Sequence, residues 1–307
     1  MHGDGDGWVV CDLGHRHWGR HGAAGLLLAE PGRIVLQHRA PRTHEGGTWG
    51  LPGGARDSHE DVVATALREA AEEAAIDPAS VEATGLSTVD HGGWSYTTVV
   101  ARTLAEVRPR AANWESEDVR WCDLAEVDAL PLHPGFAVSW PGLRPAIRPI
   151  RIVVDMANVV GSRPDGWWRD RAGANARLRQ RIRVQAADGL DTARLPAGIA
   201  TGAVDTTFPS WTLVVEGAAA GLAAEPVGYV VTVAAPGSGD DEIVAQVVAA
   251  PHHRCVIVTA DRELRARLGS MLCVGPSWLL DLLDLLDQPD GAVTRAASAL
   301  SPRAQDA

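Results

Sequence analysis

"GLPGGARDSHEDVVATALREAAEEAAI", residues 50–76, decides how the first half of this 307-residue chain folds. A Pro-Gly-Gly turn leads through polar residues into a run of helical apolar spacing that carries Arg68, Glu69, Glu72 and Glu73. Positions 69, 72 and 73 are related as i, i+3 and i+4. On a helix they share one face and bring three carboxylates into a small volume. Charges of one sign that close repel, and hard divalent cations such as Mg2+ or Mn2+, which take oxygen ligands, relieve the repulsion. Such cations also bridge phosphate oxygens and stabilise the charge of a displacement at phosphorus. The glycines let a backbone carbonyl come near the same ion. A merely solvated acidic helix face is the plainer alternative, but it does not account for the apolar background "VVATAL" or for the Gly-Gly turn.

The spacing resembles the Nudix box, in which Gly54, Glu60, Arg68, Glu69, Ala70, Glu72, Glu73 and Ile76 fall at the family's positions over residues 54–76. The resemblance covers roughly residues 20–145. It implies a Nudix α/β/α sandwich that uses Mg2+ or Mn2+ to hydrolyse a nucleoside diphosphate linked to another group. It further implies that Glu69, Glu72 and Glu73 act as metal ligands or base, with the carbonyl of Gly53 or Gly54 as a further ligand. Arg68 and Glu60 then orient them. A later carboxylate is expected from "NWESEDVRW", where Glu115 is the candidate and Glu117 and Asp118 compete with it. One position departs from the pattern. Ala75 stands where the family has glycine, at a helix end where a left-handed alanine costs about 1 kcal/mol.

Outward from the box, the first half alternates apolar strands such as "AAGLLLAE" and "RIVLQHRA" with the helix, a mixed α+β pattern. Trp94 and Trp114 suit either base stacking or packing. "GHRHWGRH" offers His15, His17 and His21; without a cysteine or acid at ligand spacing, they are read as surface or phosphate-contacting histidines rather than a zinc site. Five prolines between Pro131 and Pro149 disfavour helix and central strand, so the domain boundary is expected there. That gives a first domain over 8–145 and a second over 150–287. Residues 1–7 and 288–307, rich in Gly, Asp, Ala, Ser and Pro, are expected to be disordered.

The second half is α/β in pattern. "RIVVDM", "WTLVVEG", "GYVVTVAA", "CVIVTAD" and "MLCVG" read as buried strands separated by helices near 240–250, 262–269 and 277–287, which suggests a parallel sheet covered on both faces. Asp155, Asp240, Asp241 and Asp261 then fall beyond the carboxyl ends of strands, where open sheets bind ligands. With Asn158 they form a candidate metal set, against the plainer reading as helix caps. The order "DMAN", "GSGDDEIV", "VTADRELRARL" resembles the PIN-like nucleases, in particular the NYN branch. That resemblance implies a Rossmann-like sheet binding Mg2+ or Mn2+ and cleaving RNA, with Asp155 and Asp241 among the catalytic acids. Glu216 is a spare acid. Arg169, Arg171, Arg177, Arg179, Arg181 and Arg183, beside Trp167 and Trp168, suit either an RNA backbone or a solvated helix face.

Bulk properties narrow the classes. The net charge is −11, every one of the 28 basic residues is arginine, and neither half has the basic balance of a dedicated duplex-binding module. No apolar run is long enough to span a membrane, and "MHGDGDGWVV" has no secretory pattern. Four dispersed cysteines argue against a disulfide framework, so a reducing cytoplasm is expected.

Overall fold

The computed structural model describes residues 3–164 and 166–285. The chain divides into a first unit, which runs up to Ile147 and includes Ala200–Thr206, and a second made of Arg148–Ile199 and the residues from Thr207 onward. The tail expected to be disordered lies outside the described residues.

The first unit opens with a two-stranded antiparallel ribbon, β1 (Trp8–Val10) and β2 (Arg16–Trp18). Its main sheet contains β3 (Ala23–Glu30), β4 (Arg33–Arg39), β5 (Trp49–Gly50), β6 (Gly53–Ala55), β7 (Val81–Asp90), β8 (Ser95–Thr103) and β9 (Ser116–Asp123). The hydrogen-bonded path runs β7-β8-β3-β4-β5, with β6 paired to β3 and β9 paired to β4. β3 is buried along nearly its whole length and runs parallel to β8, as an unbroken aliphatic strand should when both faces are covered. Helix α1 (Val62–Ala74) packs on β3, β6 and β8 through Val63, Ala66, Ala70 and Ala74. These small side chains permit close approach of helix to sheet. Asp61 caps α1 by accepting hydrogen bonds from Val63 N and Ala64 N, at 2.9 and 2.8 Å. On the other face, Leu27, Ile34, Leu36 and Val100 pack with Trp140 and Leu143 of α2 (Pro134–Leu143).

At three places the structure adds to or differs from the reading of the sequence. The proline-rich stretch, where helix is disfavoured, contains α2: Pro134 sits in the first turn, where a missing donor costs little, and Pro141 lies inside the helix. Residues 3–7 are tied down rather than disordered. Asp4 accepts from Ser58 N at 2.9 Å, Gly5 N donates to Asp57 Oδ1 at 2.8 Å, and Arg20 N donates to Gly5 O at 2.7 Å. Finally, residues 200–206 return to complete the first unit. Asp205 N donates to Leu86 O at 2.8 Å, Thr88 N to Asp205 Oδ2 at 2.7 Å, and Val204 joins the core.

The second unit is built on β10 (Ile150–Asp155), α3 (Met156–Gly161), α4 (Arg171–Asp188) and β13 (Ser210–Val215); the two-residue strands β11 (Leu190–Asp191) and β12 (Thr206–Thr207), which fall between α4 and β13 in the chain, are not strands of its sheet. There follow β14 (Ala224–Val227), β15 (Val230–Ala234), α5 (Gly239–Val248), β16 (Arg254–Val258), α6 (Arg262–Leu268), β17 (Leu272–Val274) and α7 (Pro276–Asp284). The sheet order is β14-β15-β13-β10-β16-β17, parallel throughout except for β14 at the edge. Ile152 and Val154 enter one core with Trp211 and Leu213, while Val153 enters another with Val214, Ile257 and Leu264. The sheet is therefore covered on both sides. The chain winds outward from β10 in both directions, so the winding switches at the carboxyl ends of β10 and β16. Among the described residues no helix is long and apolar enough to cross a membrane.

Candidate active site

Two glycines bring the box helix against the sheet. A Cβ on Gly53 would lie 2.5 Å from Ala24 O and Gly25 Cα, and one on Gly54 would lie 2.5 Å from Glu69 Oε1. At Gly53 a side chain would run into backbone, and at Gly54 it would displace the carboxylate of Glu69, so β6 and that carboxylate meet directly. Glu73 is 3% exposed and accepts a 2.8 Å hydrogen bond from Gly53 N at Oε2. Burial pushes its carboxyl up to about 8; Glu69 and Glu115 push the same way, while the Gly53 N–H opposes them. Burial also raises Glu69, against the pull of Arg68.

Arg68 lashes the loop to the helix. It donates to Glu60 from Nε and Nη2 at 2.7 and 2.9 Å, to Glu69 Oε1 from Nη1 at 2.7 Å, and to Ala55 O at 3.0 Å. This fork holds Glu60 at about 2, below the ordinary carboxylate range, with Thr65 Oγ1 and Asp57 N as further donors. Glu72 is more open, 3.6 Å from Arg68 Nη1.

Of the three acids in "NWESEDVRW", Glu115 lies near enough to act on both Glu69 and Glu73. Glu117 instead pairs with His38 at 3.0 Å, and Asp118 lies 3.6 Å from Arg120. Trp94 is stacked face to face on His17, and Trp114 is 72% exposed. Tyr96 went unnoticed in the sequence. Its hydroxyl comes where a Cβ on Gly25 would collide, and burial together with Glu73 raises the phenol above its usual value. Only the β3–β8 register, Gly25 opposite Thr98, brings Tyr96 to that place.

In the second unit the strand ends gather Asp155, Glu216, Asp240 and Asp261. Burial raises Asp155, and Asp240 and Glu216 add to the effect. Burial likewise raises Asp240, helped by Asp261 and Glu216. Several of these groups also hold the backbone. Asp155 accepts from Asn158 N at 3.0 Å and Thr259 Oγ1 at 2.9 Å, and Asp261 caps α6 through Glu263 N and Leu264 N. Asn158, expected as an oxygen ligand, uses its side-chain oxygen to accept from Ala260 N at 2.8 Å, tying α3 to the end of β16. Asp241, expected among the catalytic acids, points to solvent and pairs with Arg267 at 2.6 Å. Among the described residues, no three of these acids bring ligand oxygens within 4.8 Å of one another. A groove of about 730 Å³ runs past Asn158, Ser162, Arg163 and Ser277, but Asp155 and Asp240 do not line it. The arginine run is partly spent inside the unit. Arg179 donates to Leu222 O, Arg181 to Asp284, and Arg177 lies 3.6 Å from Asp170.

The glycine strand, the glutamate helix and the Arg68 lash all lie within residues 19–140, which match the family model of the NUDIX domain. A Mycobacterium tuberculosis protein named "Putative 8-oxo-dGTP diphosphatase 3" is 52% identical over 157 residues, 48% of this chain and 72% of that protein. By that likeness the chain belongs to the Nudix family. It is also similar to a nucleoside triphosphate pyrophosphatase/Nudix hydrolase fusion protein of Bifidobacterium longum, 42% identical over 150 residues, 46% of this chain and 31% of that one. Among solved structures, the Nudix hydrolase RenU from M. smegmatis is 48% identical, covering 46% of this chain and 93% of that one, with a TM-score of 0.42.

Proposed function

We propose that the first unit is a Mg2+- or Mn2+-dependent pyrophosphohydrolase acting on a nucleoside diphosphate linked to a further group. The observation that carries this reading is the burial of Glu73 against Gly53 N, beside a Glu69 pinned by Arg68. A buried carboxyl pushed to about 8 next to a second raised one is a site that favours a cation, and its all-oxygen donors suit a hard one. Glu69, Glu72 and Glu73, with Glu115 and the Gly53 or Gly54 carbonyl, would hold it. Such a cation, when bound, neutralises charge on the phosphate oxygens and makes a water more acidic. The protein's own groups do the rest. Arg68 fixes the direction of Glu69, Glu60 fixes Arg68, and a glutamate of the box accepts a proton from the water that attacks phosphorus.

One relative's printed name includes 8-oxo-dGTP, so oxidised purine nucleotides head the substrate candidates. The test is a screen of the full-length protein against oxidised and ordinary nucleoside triphosphates, dinucleotides and nucleotide sugars with Mg2+ or Mn2+. Turnover is expected for at least one class, with loss in Glu73→Gln. Undiminished turnover in that variant would sink the assignment.

We further propose that the second unit is a metal-dependent ribonuclease of PIN/NYN type, on the strength of Asp155, Glu216, Asp240 and Asp261, which all end or follow strands of the parallel sheet at its carboxyl edge. The competing reading is a non-catalytic nucleotide- or RNA-binding module, and the capping roles of Asp155 and Asp261 favour it. Full-length protein with labelled single-stranded RNA and Mn2+ separates the two. Cleavage lost in Asp155→Asn supports the nuclease; binding without cleavage supports the module.

A further inference from the structure

The ribbon β1–β2 and the turn joining β7 to β8 bring together four side chains that the proposed hydrolysis does not use. Cys11 and His15 lie in the loop of the ribbon, His17 lies on β2, and His91 begins the β7–β8 turn. One ligand atom from each lies within 4.8 Å of the other three. His17 Nε2 and His91 Nδ1 stand 3.1 Å apart, and Cys11 is buried with 4% exposure and forms no disulfide.

A cluster gathered within 4.8 Å has room for a tetrahedral zinc ion. With Zn–N near 2.0–2.1 Å and Zn–S near 2.3 Å, neighbouring ligand atoms on such a tetrahedron are separated by about 3.3–3.7 Å. A thiol and imidazoles are donors of the softness that zinc prefers to oxygen. His21, which the sequence groups with His15 and His17, is not one of the four. Cys11, four residues before His15, and His91, far along the chain, take its place. The backbone already holds the loops in position. Asp12 N donates to Gly92 O at 2.9 Å, Cys11 N to His15 O at 3.0 Å, and His91 N to Trp94 O at 2.9 Å. The close approach also demands Gly92, because a Cβ there would lie 2.5 Å from Asp12 Oδ2. Trp94 stacks on His17 with ring centroids 3.8 Å apart and fixes the imidazole's plane.

We propose that Cys11, His15, His17 and His91 form a structural zinc site that fastens the β1–β2 ribbon to the β7–β8 turn. A ribbon of three residues per strand is too short to be stable alone and needs an anchor. Cys11, His15 and His17 precede residue 19, where the match to the NUDIX domain begins, and His91 lies within it. The site is made only of this chain's residues and is distinct from the oxygen-lined box.

The test uses the full-length protein without a histidine tag, loaded with zinc and then dialysed against a weak chelator. About one zinc per chain is expected to remain by elemental analysis. Replacement by Co2+ should give the visible bands of a tetrahedral complex together with a thiolate-to-cobalt charge-transfer band. Cys11→Ser is expected to abolish that band, His91→Ala to lower zinc retention at least tenfold, and His21→Ala to change neither. Wild-type protein that retains no zinc overturns the proposal whatever the variants do. So does zinc held equally well by the Cys11→Ser/His91→Ala double variant, which would assign the metal to the glutamates, and so does retention of copper alone.

Discussion

Arg68 and Glu60 meet through two parallel hydrogen bonds, Nε to Oε1 at 2.7 Å and Nη2 to Oε2 at 2.9 Å, across the turn that separates β6 from α1. The fork spans eight residues and sets the entry of the helix that carries the other glutamates. Arg68→Ala would leave Glu60, 11% exposed beside the intact arginine, without that cation. With allowance for the partial exposure of Arg68, the expected loss is about 2 kcal/mol, read from urea unfolding. Arg68→Lys, which keeps the charge but not the fork, should recover only part of it.

The same pair sets an acid limit. Glu60 titrates at about 2 when folded, against an ordinary value of 4.5, so the folded state binds fewer protons than the unfolded one in between. The stabilisation is full above 4.5 and disappears as pH falls towards 2. Wild type should therefore lose more stability than Glu60→Gln across that window; equal slopes would show that the pair is not coupled to folding.

Glu73 behaves in the opposite sense. Its folded value of about 8 lies above 4.5, so the metal-free native state keeps a proton that the unfolded state releases. Metal-free stability should fall as pH rises through this interval and level off beyond it, while Glu73→Gln stays flat by comparison. Mg2+ added at the alkaline end should raise the melting temperature of wild type more than that of the variant. The variant should also lose on the order of a thousandfold in Mg2+-dependent turnover.

Ala75 closes α1 in the left-handed region, with φ 54° and ψ 35°, and its N–H donates to Ala70 O. Glycine meets no steric penalty there, so Ala75→Gly is expected to stabilise the protein by about 1 kcal/mol. Thermal denaturation at matched metal concentration reads the difference.

Gly54→Ala tests the contact between loop and helix. A methyl group 2.5 Å from Glu69 Oε1 must displace that carboxylate. Turnover is expected to fall about a hundredfold while the melting temperature changes little, because misplacement by an ångström is costly to catalysis and cheap to packing.

The Nudix box was legible because its chemistry lies within one helix and one turn. Helical periodicity alone brings Glu69, Glu72 and Glu73 to one face, and the fixed distance back to Glu60 lets Arg68 reach it. The parallel sheet of the second unit was legible too, since a strand buried on both faces reads as an unbroken aliphatic run, as Ile152, Val153 and Val154 do in "RIVVD". What depends on pairing between distant strands was not. Tyr96 comes near enough to feel Glu73 only through the β3–β8 register, and His91 meets His17 only because the β7–β8 turn lies against β2. Asp155 and Asp261 carried another ambiguity, because an aspartate at a strand end and one at a helix cap are the same letter in the same place.

The return of residues 200–206 bears on the order in which the protein is made. Leu86 and Thr88, on β7, receive partners from Asp205, and Ser87 Oγ donates to Ala203 O at 2.6 Å. A ribosome that has released residue 147 has therefore not yet supplied everything the first unit needs. Its outer strand waits, with donors and acceptors still open to water or to another chain, until Asp205 has emerged.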